Sequence, residues 1–310
     1  MMAYDNTRLD VYDRVTNRIV ESLEQGVRPW SKPWGTTTAA PIAVRPLRVS
    51  GEAYRGINTI MLWGEAWSKG YLNPTWMTFQ QAKEFGACVR KGEHGSLVVY
   101  ANKIIKHETN SEGDEVERAV AFLKGYTVFN CEQIDGLPER FTIAGSEPLP
   151  VPAFERVEHA ESFVRSTGAV IAHGGDKAFF MPSQDRIQVP PFAAFKDAES
   201  YYATLLHELT HWTHGPNRLV REFGRKRWGD EGYAAEELVA ELGAAFLCAD
   251  LSISIEPRAD HASYIESWLR VLKHDKRAIF TAASYAQASS DYLHSLQAEQ
   301  QTKIELANAA

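Results

Sequence analysis

The feature that most constrains this chain is the run Leu205-Leu206-His207-Glu208-Leu209-Thr210-His211. Two histidines four residues apart, with a glutamate directly after the first, can act together only on a helix. There residues i and i+4 share one face, and both imidazoles can address one ion. Glu208 then flanks the same ion and is placed to take a proton from a water held there. The upstream Tyr201-Tyr202-Ala203-Thr204 holds neither Gly nor Pro, so a helix over 198–214 is expected. The alternative is a helix whose histidines cap or fill a core.

A catalytic zinc-type site takes three protein ligands and leaves one position open. The run Glu236-Glu237-Leu238-Val239-Ala240-Glu241-Leu242-Gly243-Ala244-Ala245-Phe246 offers the third. Glu237 and Glu241 share one face of a second expected helix, 232–250. The alanines and Gly243 beside them permit close helix–helix approach. Glu241 sits inside an apolar run, where an unpaired charge is costly. Glu237 is therefore read as the ligand and Glu241 as the acceptor of a histidine N–H, with the reverse assignment as the alternative. His214 competes as a ligand, but it stands before Gly215-Pro216, where the helix is expected to end. Histidine and carboxylate donors suit Zn2+ first, and Mn2+ or another divalent metal next.

Around this motif the pattern is α+β. Helices are expected over 8–26 and 57–69, with a short one from Trp76 to Phe85. Leu97–Tyr100 and Tyr126–Phe129 read as strands, and His107–Glu115 as a solvated loop or hairpin tip. Residues 141–153, with Pro148, Pro150 and Pro152, read as a linker between a first domain, 1–140, and a second, 154–297. The second opens with a helix over 154–167, short strands near 169–172 and 178–181, and an edge strand Arg186–Pro190. Helices over 259–274 and 276–296 complete it, and 298–310 reads as a flexible polar tail.

The 310 residues carry a net charge of −7, so the whole protein is not a basic nucleic-acid binder. The charge is uneven, however. Residues 1–106 hold 14 Lys/Arg against 9 Asp/Glu, and attraction over a Debye length depends on nearby charge. The absence of an eighteen-residue apolar run argues against a membrane span. The N-terminus lacks the apolar core of a secretory signal. Cys88, Cys131 and Cys248 form no CxxC pair, which fits a reducing cytoplasm and argues against a cysteine zinc site.

Residues 28–91 interleave basic and aromatic side chains, a mixture suited to single-stranded DNA, whose bases stack on rings while Arg and Lys meet phosphates. Arg28, Trp30, Lys32 and Trp34 sit among prolines, with core filling as the alternative for the tryptophans. Trp63 and Trp67, four apart on a helix, read as core. Arg90-Lys91-Gly92-Glu93-His94-Gly95 reads as a basic turn offering a phosphate contact or an ordinary hairpin. Tyr54-Arg55-Gly56-Ile57-Asn58 opens a helix, where exposed backbone N–H groups favour anions.

Several long motifs carry a resemblance: Tyr201-Tyr202…His207-Glu208-Leu209-Thr210-His211-Trp212-Thr213, Gly232-Tyr233…Glu236-Glu237-Leu238-Val239-Ala240-Glu241 and Tyr264-Ile265-Glu266-Ser267-Trp268-Leu269 in the second half, with Val27-Arg28-Pro29-Trp30…Pro33-Trp34, Tyr54-Arg55-Gly56-Ile57-Asn58, Arg90-Lys91-Gly92-Glu93-His94-Gly95 and Gly125-Tyr126-Thr127-Val128-Phe129-Asn130 in the first. Over nearly its whole length the chain resembles the ArdC family of plasmid antirestriction proteins. The resemblance implies an N-terminal domain that binds single-stranded DNA and a zincin-like, gluzincin-type metallopeptidase domain. It also implies a role during conjugation, shielding entering plasmid DNA from restriction. Glu241 stands where the gluzincin signature carries Asp. The motif alone does not establish proteolysis. Two other readings are a metalloprotease that cleaves a host protein with DNA as tether, and a metal that only staples two helices.

Overall fold

The computed structural model describes residues 10–31, 44–109, 115–142, 153–215, 217–221, 223, 231–253 and 262–308. In the first half, helix α1 (Val11–Glu24) starts at Asp10, whose side chain accepts the Asp13 N–H. Helix α2 (Ile57–Lys69) ends at Gly70, whose φ of 74° is the left-handed conformation that Gly adopts without strain. Strands β1 (Leu47–Arg48), β2 (Thr75–Met77), β4 (Ser96–Thr109) and β5 (Glu115–Asn130) form one sheet in the order β1-β2-β5-β4. Strand β1 runs parallel to β2, and the other pairs are antiparallel. Helix α3 (Phe79–Glu84), a two-stranded ribbon of β3 (Cys88–Val89) and β6 (Ile134–Asp135), and the short helix α4 (Glu139–Thr142) close this half.

Two expectations change here. Trp76 and Met77 belong to β2, not to a helix. Thr78 is the N-cap of α3 and makes a capping box with Gln81, so the helix begins only at Phe79. The expected strands at 97–100 and 126–129 are the base of a long hairpin paired from Ser96↔Val128 out to Thr109↔Glu115. The residues read as loop from His107 to Thr109, and Glu115, lie in that ladder. Backbone hydrogen bonds hold a hairpin whatever the polarity of its side chains, so polar sequence concealed the strand.

The second half comprises α5 (Ala153–Ser166), a small sheet of β7 (Val170–His173), β8 (Phe179–Met181) and β9 (Arg186–Val189), then α6 (Ala198–Trp212), α7 (Glu231–Asp250), α8 (Ala262–His274) and α9 (Ala278–Asn308). The sheet order is β7-β9-β8. Strand β9 is therefore central, not an edge. Pro190 suggested an edge, but it falls just beyond the last paired residue, Val189, and removes no ladder bond. Helix α9 continues through most of the residues read as a tail.

The core does not follow the division into halves. One apolar cluster joins Val15, Ile19 and Leu23 of α1, Trp30, and Ile57 and Ile60 of α2 with Leu238 and Phe246 of α7, Trp268 and Leu272 of α8, and Ile279 and Ala283 of α9. A second joins α5, β9, α6 and α7 through Phe163, Ile187, Leu205, Leu209 and Leu247. Helix α7 lies in both clusters, with Leu238 on one side and Leu247 on the other. The cysteines Cys88, Cys131 and Cys248 are unpaired. Among the described residues no helix is long and apolar enough to cross a membrane.

Candidate metal centre

Helix α6 carries the histidine pair because Asp197 starts it, accepting the Ser200 N–H at 2.7 Å. Its histidine face meets α7. The contact is close because of Gly243: a Cβ there would lie 2.5 Å from Thr210 Cγ2. This approach brings Glu237 between the two imidazoles. One carboxylate oxygen is 3.5 Å from His207 Nε2 and the other 3.6 Å from His211 Nε2. Ligand atoms of His207, His211 and Glu237 all lie within 4.8 Å of one another. Two imidazole nitrogens and one carboxylate oxygen form the three-donor set of a divalent-metal site with room for a further ligand, so the residues present fit such an ion.

The far side of each imidazole faces another carboxylate. His207 Nδ1 is 3.8 Å from Glu241 Oε2, in the direction expected of Glu241. His211 Nδ1 donates to Glu236 Oε1 at 3.2 Å. Helical spacing alone did not single out Glu236 beside Glu237. Its partner Arg221 reaches it from outside the helix, so no spacing within the sequence marks it. Each outer carboxylate is gripped by an arginine. Arg221 meets Glu236 through two nitrogens, at 2.6 and 3.1 Å. The same guanidinium donates to Thr213 Oγ1, Ser289 Oγ and the Thr210 carbonyl. Arg28, from the first half, meets Glu241 at 3.2 Å. Arg221 followed no motif and could not have been read from spacing.

Charge in this pocket is tightly linked. Burial disfavours the His211 cation, but Glu237 and Glu236 outweigh it and raise the imidazole to about 10. Burial likewise opposes the Glu236 carboxylate, while His211 and Arg221 hold it down at about 2. Glu237 stays ionised against burial, well below the usual carboxylate range, because both histidines face it. Glu208 is buried and lies close enough for its charge to act on His211. It stands outside the three-donor set. His214 lies beyond the end of α6 and accepts the Arg221 backbone N–H at 3.1 Å through Nδ1, turned to the loop. Tyr233, one turn before Glu237, has its hydroxyl 3.2 Å from that of Tyr264.

The residues expected to touch DNA are dispersed. Trp30 is fully buried, edge-on to Trp268 with ring centroids 5.8 Å apart, so its ring has no open face for a base and its role is core. Arg28 is committed to Glu241. Asn58 pins α2 to β4 by two bonds of 2.8 Å with the Val99 backbone. The Gly56 N–H, expected to be open to an anion, donates to Gln287 instead. Arg55 is largely exposed and paired with Asp291. Arg90 pairs with Glu93 in the expected tight turn, and Lys91 beside it is exposed. Lys32 and Trp34 lie outside the described residues. Trp63 and Trp67 stack on each other against the core, as their spacing suggested.

Comparison with known proteins agrees with this geometry. Residues 9–129 match the model of the N-terminal domain of anti-restriction factor ArdC, and residues 158–285 match that of a zincin-like metallopeptidase. The crystal structure of metal-free antirestriction protein ArdC from plasmid R388 superposes with a TM-score of 0.78 at 44% identity, covering 94% of this chain and 99% of that one. The chain belongs to the ArdC family. The Mn(II)-bound structure of R388 ArdC gives a TM-score of 0.74 at 42% identity over the same shares of both chains. The uncharacterized protein y4eC of Sinorhizobium fredii is 43% identical over 95% of each chain. DNA primase TraC of Escherichia coli is 38% identical over 93% of this chain, which spans only 27% of TraC. The ArdC resemblance read from the sequence motifs, and the α+β fold it implied, are both borne out.

Proposed function

We propose that this protein is an antirestriction factor that binds single-stranded DNA and protects plasmid DNA entering a cell by conjugation. The observation that carries this reading is the near-full-length likeness to ArdC, in both its N-terminal and its zincin-like part. The protein would act in the cytoplasm, where entering DNA meets restriction enzymes. Phosphate contacts fall to the exposed cations Arg55, Arg90 and Lys91, with Lys32 as a further candidate and Trp34 as a candidate for stacking on a base. With Trp30 in the core, stacking moves to the hairpin. Tyr100 is half exposed, lies edge-on to Phe122 and pairs across the ladder with Lys124, itself exposed. A ring beside a cation on an open strand suits an unpaired base and its phosphate.

In the same reading His207, His211 and Glu237 hold a divalent cation, Mn2+ or Zn2+. Such a cation supplies Lewis acidity, polarising a carbonyl or lowering the pKa of water toward neutrality. Glu208 accepts and passes on a proton, Glu241 and Glu236 orient the imidazoles, and Arg28 and Arg221 hold those carboxylates in place by ion pairs. This is peptidase machinery, which favours one second reading: a metalloprotease whose target is a host protein.

The test is DNA binding by the full chain against salt. Single strands should bind in preference to duplex, with log affinity falling by about 0.7 per phosphate contact for each decade of salt. Tyr100→Ala should weaken binding by about 1–3 kcal/mol. Equal affinity for duplex and single strand would overturn the single-strand reading.

A further inference from the structure

The two arginines behind the metal-facing histidines come from different halves of the chain. Arg221 is local, fifteen residues from its carboxylate. Arg28 is 213 residues from Glu241 and belongs to the matched N-terminal ArdC domain. The Arg28 and Glu241 side chains are only 10% and 9% exposed, so water screens their attraction little. The backbone around Arg28 is fixed on both sides. The Val27 N–H donates to the Ser22 carbonyl at the end of α1, and Trp30 is locked against Trp268 in the shared core. Pro29 packs beside Gly64 of α2, where an added Cβ would lie 3.2 Å from Pro29 Cβ. The guanidinium is thus delivered to Glu241 from a rigid support.

We propose that Arg28 is a positioning residue of the metal centre. By keeping Glu241 on the Nδ1 side of His207, 3.8 Å away, it steadies the imidazole whose Nε2 faces Glu237, so the N-terminal half sets part of the affinity of the C-terminal half for its metal. The inference rests on His207, His211 and Glu237 forming the metal site, and it adds that this site is incomplete without the first domain. Removing Arg28 leaves Glu241 without its ion-pair partner and free to turn away from the histidine. Partners of metal-binding histidines characteristically change metal affinity about 10- to 100-fold when removed.

The test is Mn(II) titration of the full chain by electron paramagnetic resonance, with Arg28→Ala, Arg28→Lys, Glu241→Gln and the Arg28→Ala/Glu241→Gln double variant, each checked for folding by circular dichroism. Arg28→Ala and Glu241→Gln should each weaken Mn(II) binding about 10-fold or more. The double variant should lose little beyond either single one, because both break one link. Arg28→Lys, which keeps the charge, should recover part of the loss. Folded Arg28→Ala with wild-type Mn(II) affinity would overturn the proposal, as would losses that simply add in the double variant. Wild-type protein that binds no Mn(II) would instead sink the metal site itself, and the proposal with it.

Discussion

Glu237 faces both imidazoles, and that single side chain decides how the centre behaves with and without metal. Without metal its charge, with that of Glu236, keeps a proton on His211 up to about 10, against an ordinary value of 6.5. A folded-state pKa raised in this way stabilises the metal-free fold fully below 6.5, and the contribution is lost as pH rises through about 10. Metal must displace that proton, so its affinity moves the opposite way and should rise across the same window. Calorimetry at neutral pH in buffers of different ionisation enthalpy should show proton release on Mn(II) binding. A binding heat independent of buffer would contradict the charge state assigned to His211. Replacing His207, His211 or Glu237 by Ala should abolish the metal-dependent rise in Tm. Metal held at about 100 times its Kd adds about 2.7 kcal/mol to stability, a shift readily seen in melts with and without Mn(II). Full metal occupancy in Glu237→Ala would refute its place as ligand.

At the scale of elements, the site depends on how closely α6 and α7 approach. Gly243→Ala puts a methyl 2.5 Å from Thr210 Cγ2 and 2.7 Å from its hydroxyl. Thr210 is fully buried and its hydroxyl is bonded to the Leu206 carbonyl, so it has little room to yield. Overpacking of this kind costs about 1–3 kcal/mol, to be read as a lowered urea midpoint. An unchanged midpoint would show that the helices separate freely. Much of this arrangement was legible beforehand. The helix bearing His207 and His211, the glutamate face opposite it and the small residues between them all follow from helical spacing. Glu236 and Arg221 were not legible, because their partnership is tertiary and links a loop to a helix face. Trp30 was ambiguous for a similar reason. Prolines and cations around it suggest an open surface, and only the arrival of Trp268 from α8 makes it core. The hairpin was underestimated because its outer ladder carries no apolar alternation.

Across the whole molecule, the shared core joins what the family models divide. Trp30, Ile57 and Ile60 of the first half pack with Phe246, Trp268 and Ile279 of the second. Cutting at residue 140 would expose that surface. The full chain should therefore unfold in one transition reported alike by tryptophan fluorescence and circular dichroism. Trp30→Ala, by opening a cavity beside Trp268, should lower stability by about 3–5 kcal/mol. Two separated transitions would show that the halves are independent. A joined molecule would also link the proposed DNA and metal sites in one body, and the two can be separated by which of them protection needs. If binding through the first half shields single strands, protection does not require Glu208 chemistry. Glu208 lies outside the three-donor set, so Glu208→Ala should keep fold, metal and DNA affinity. The decisive measurement is plasmid transfer into restricting and non-restricting recipients, with wild type and Glu208→Ala expressed equally. Equal protection by both is the expected result. A loss of protection by Glu208→Ala confined to restricting recipients, with metal content and DNA affinity intact, would contradict it and make catalysis the function.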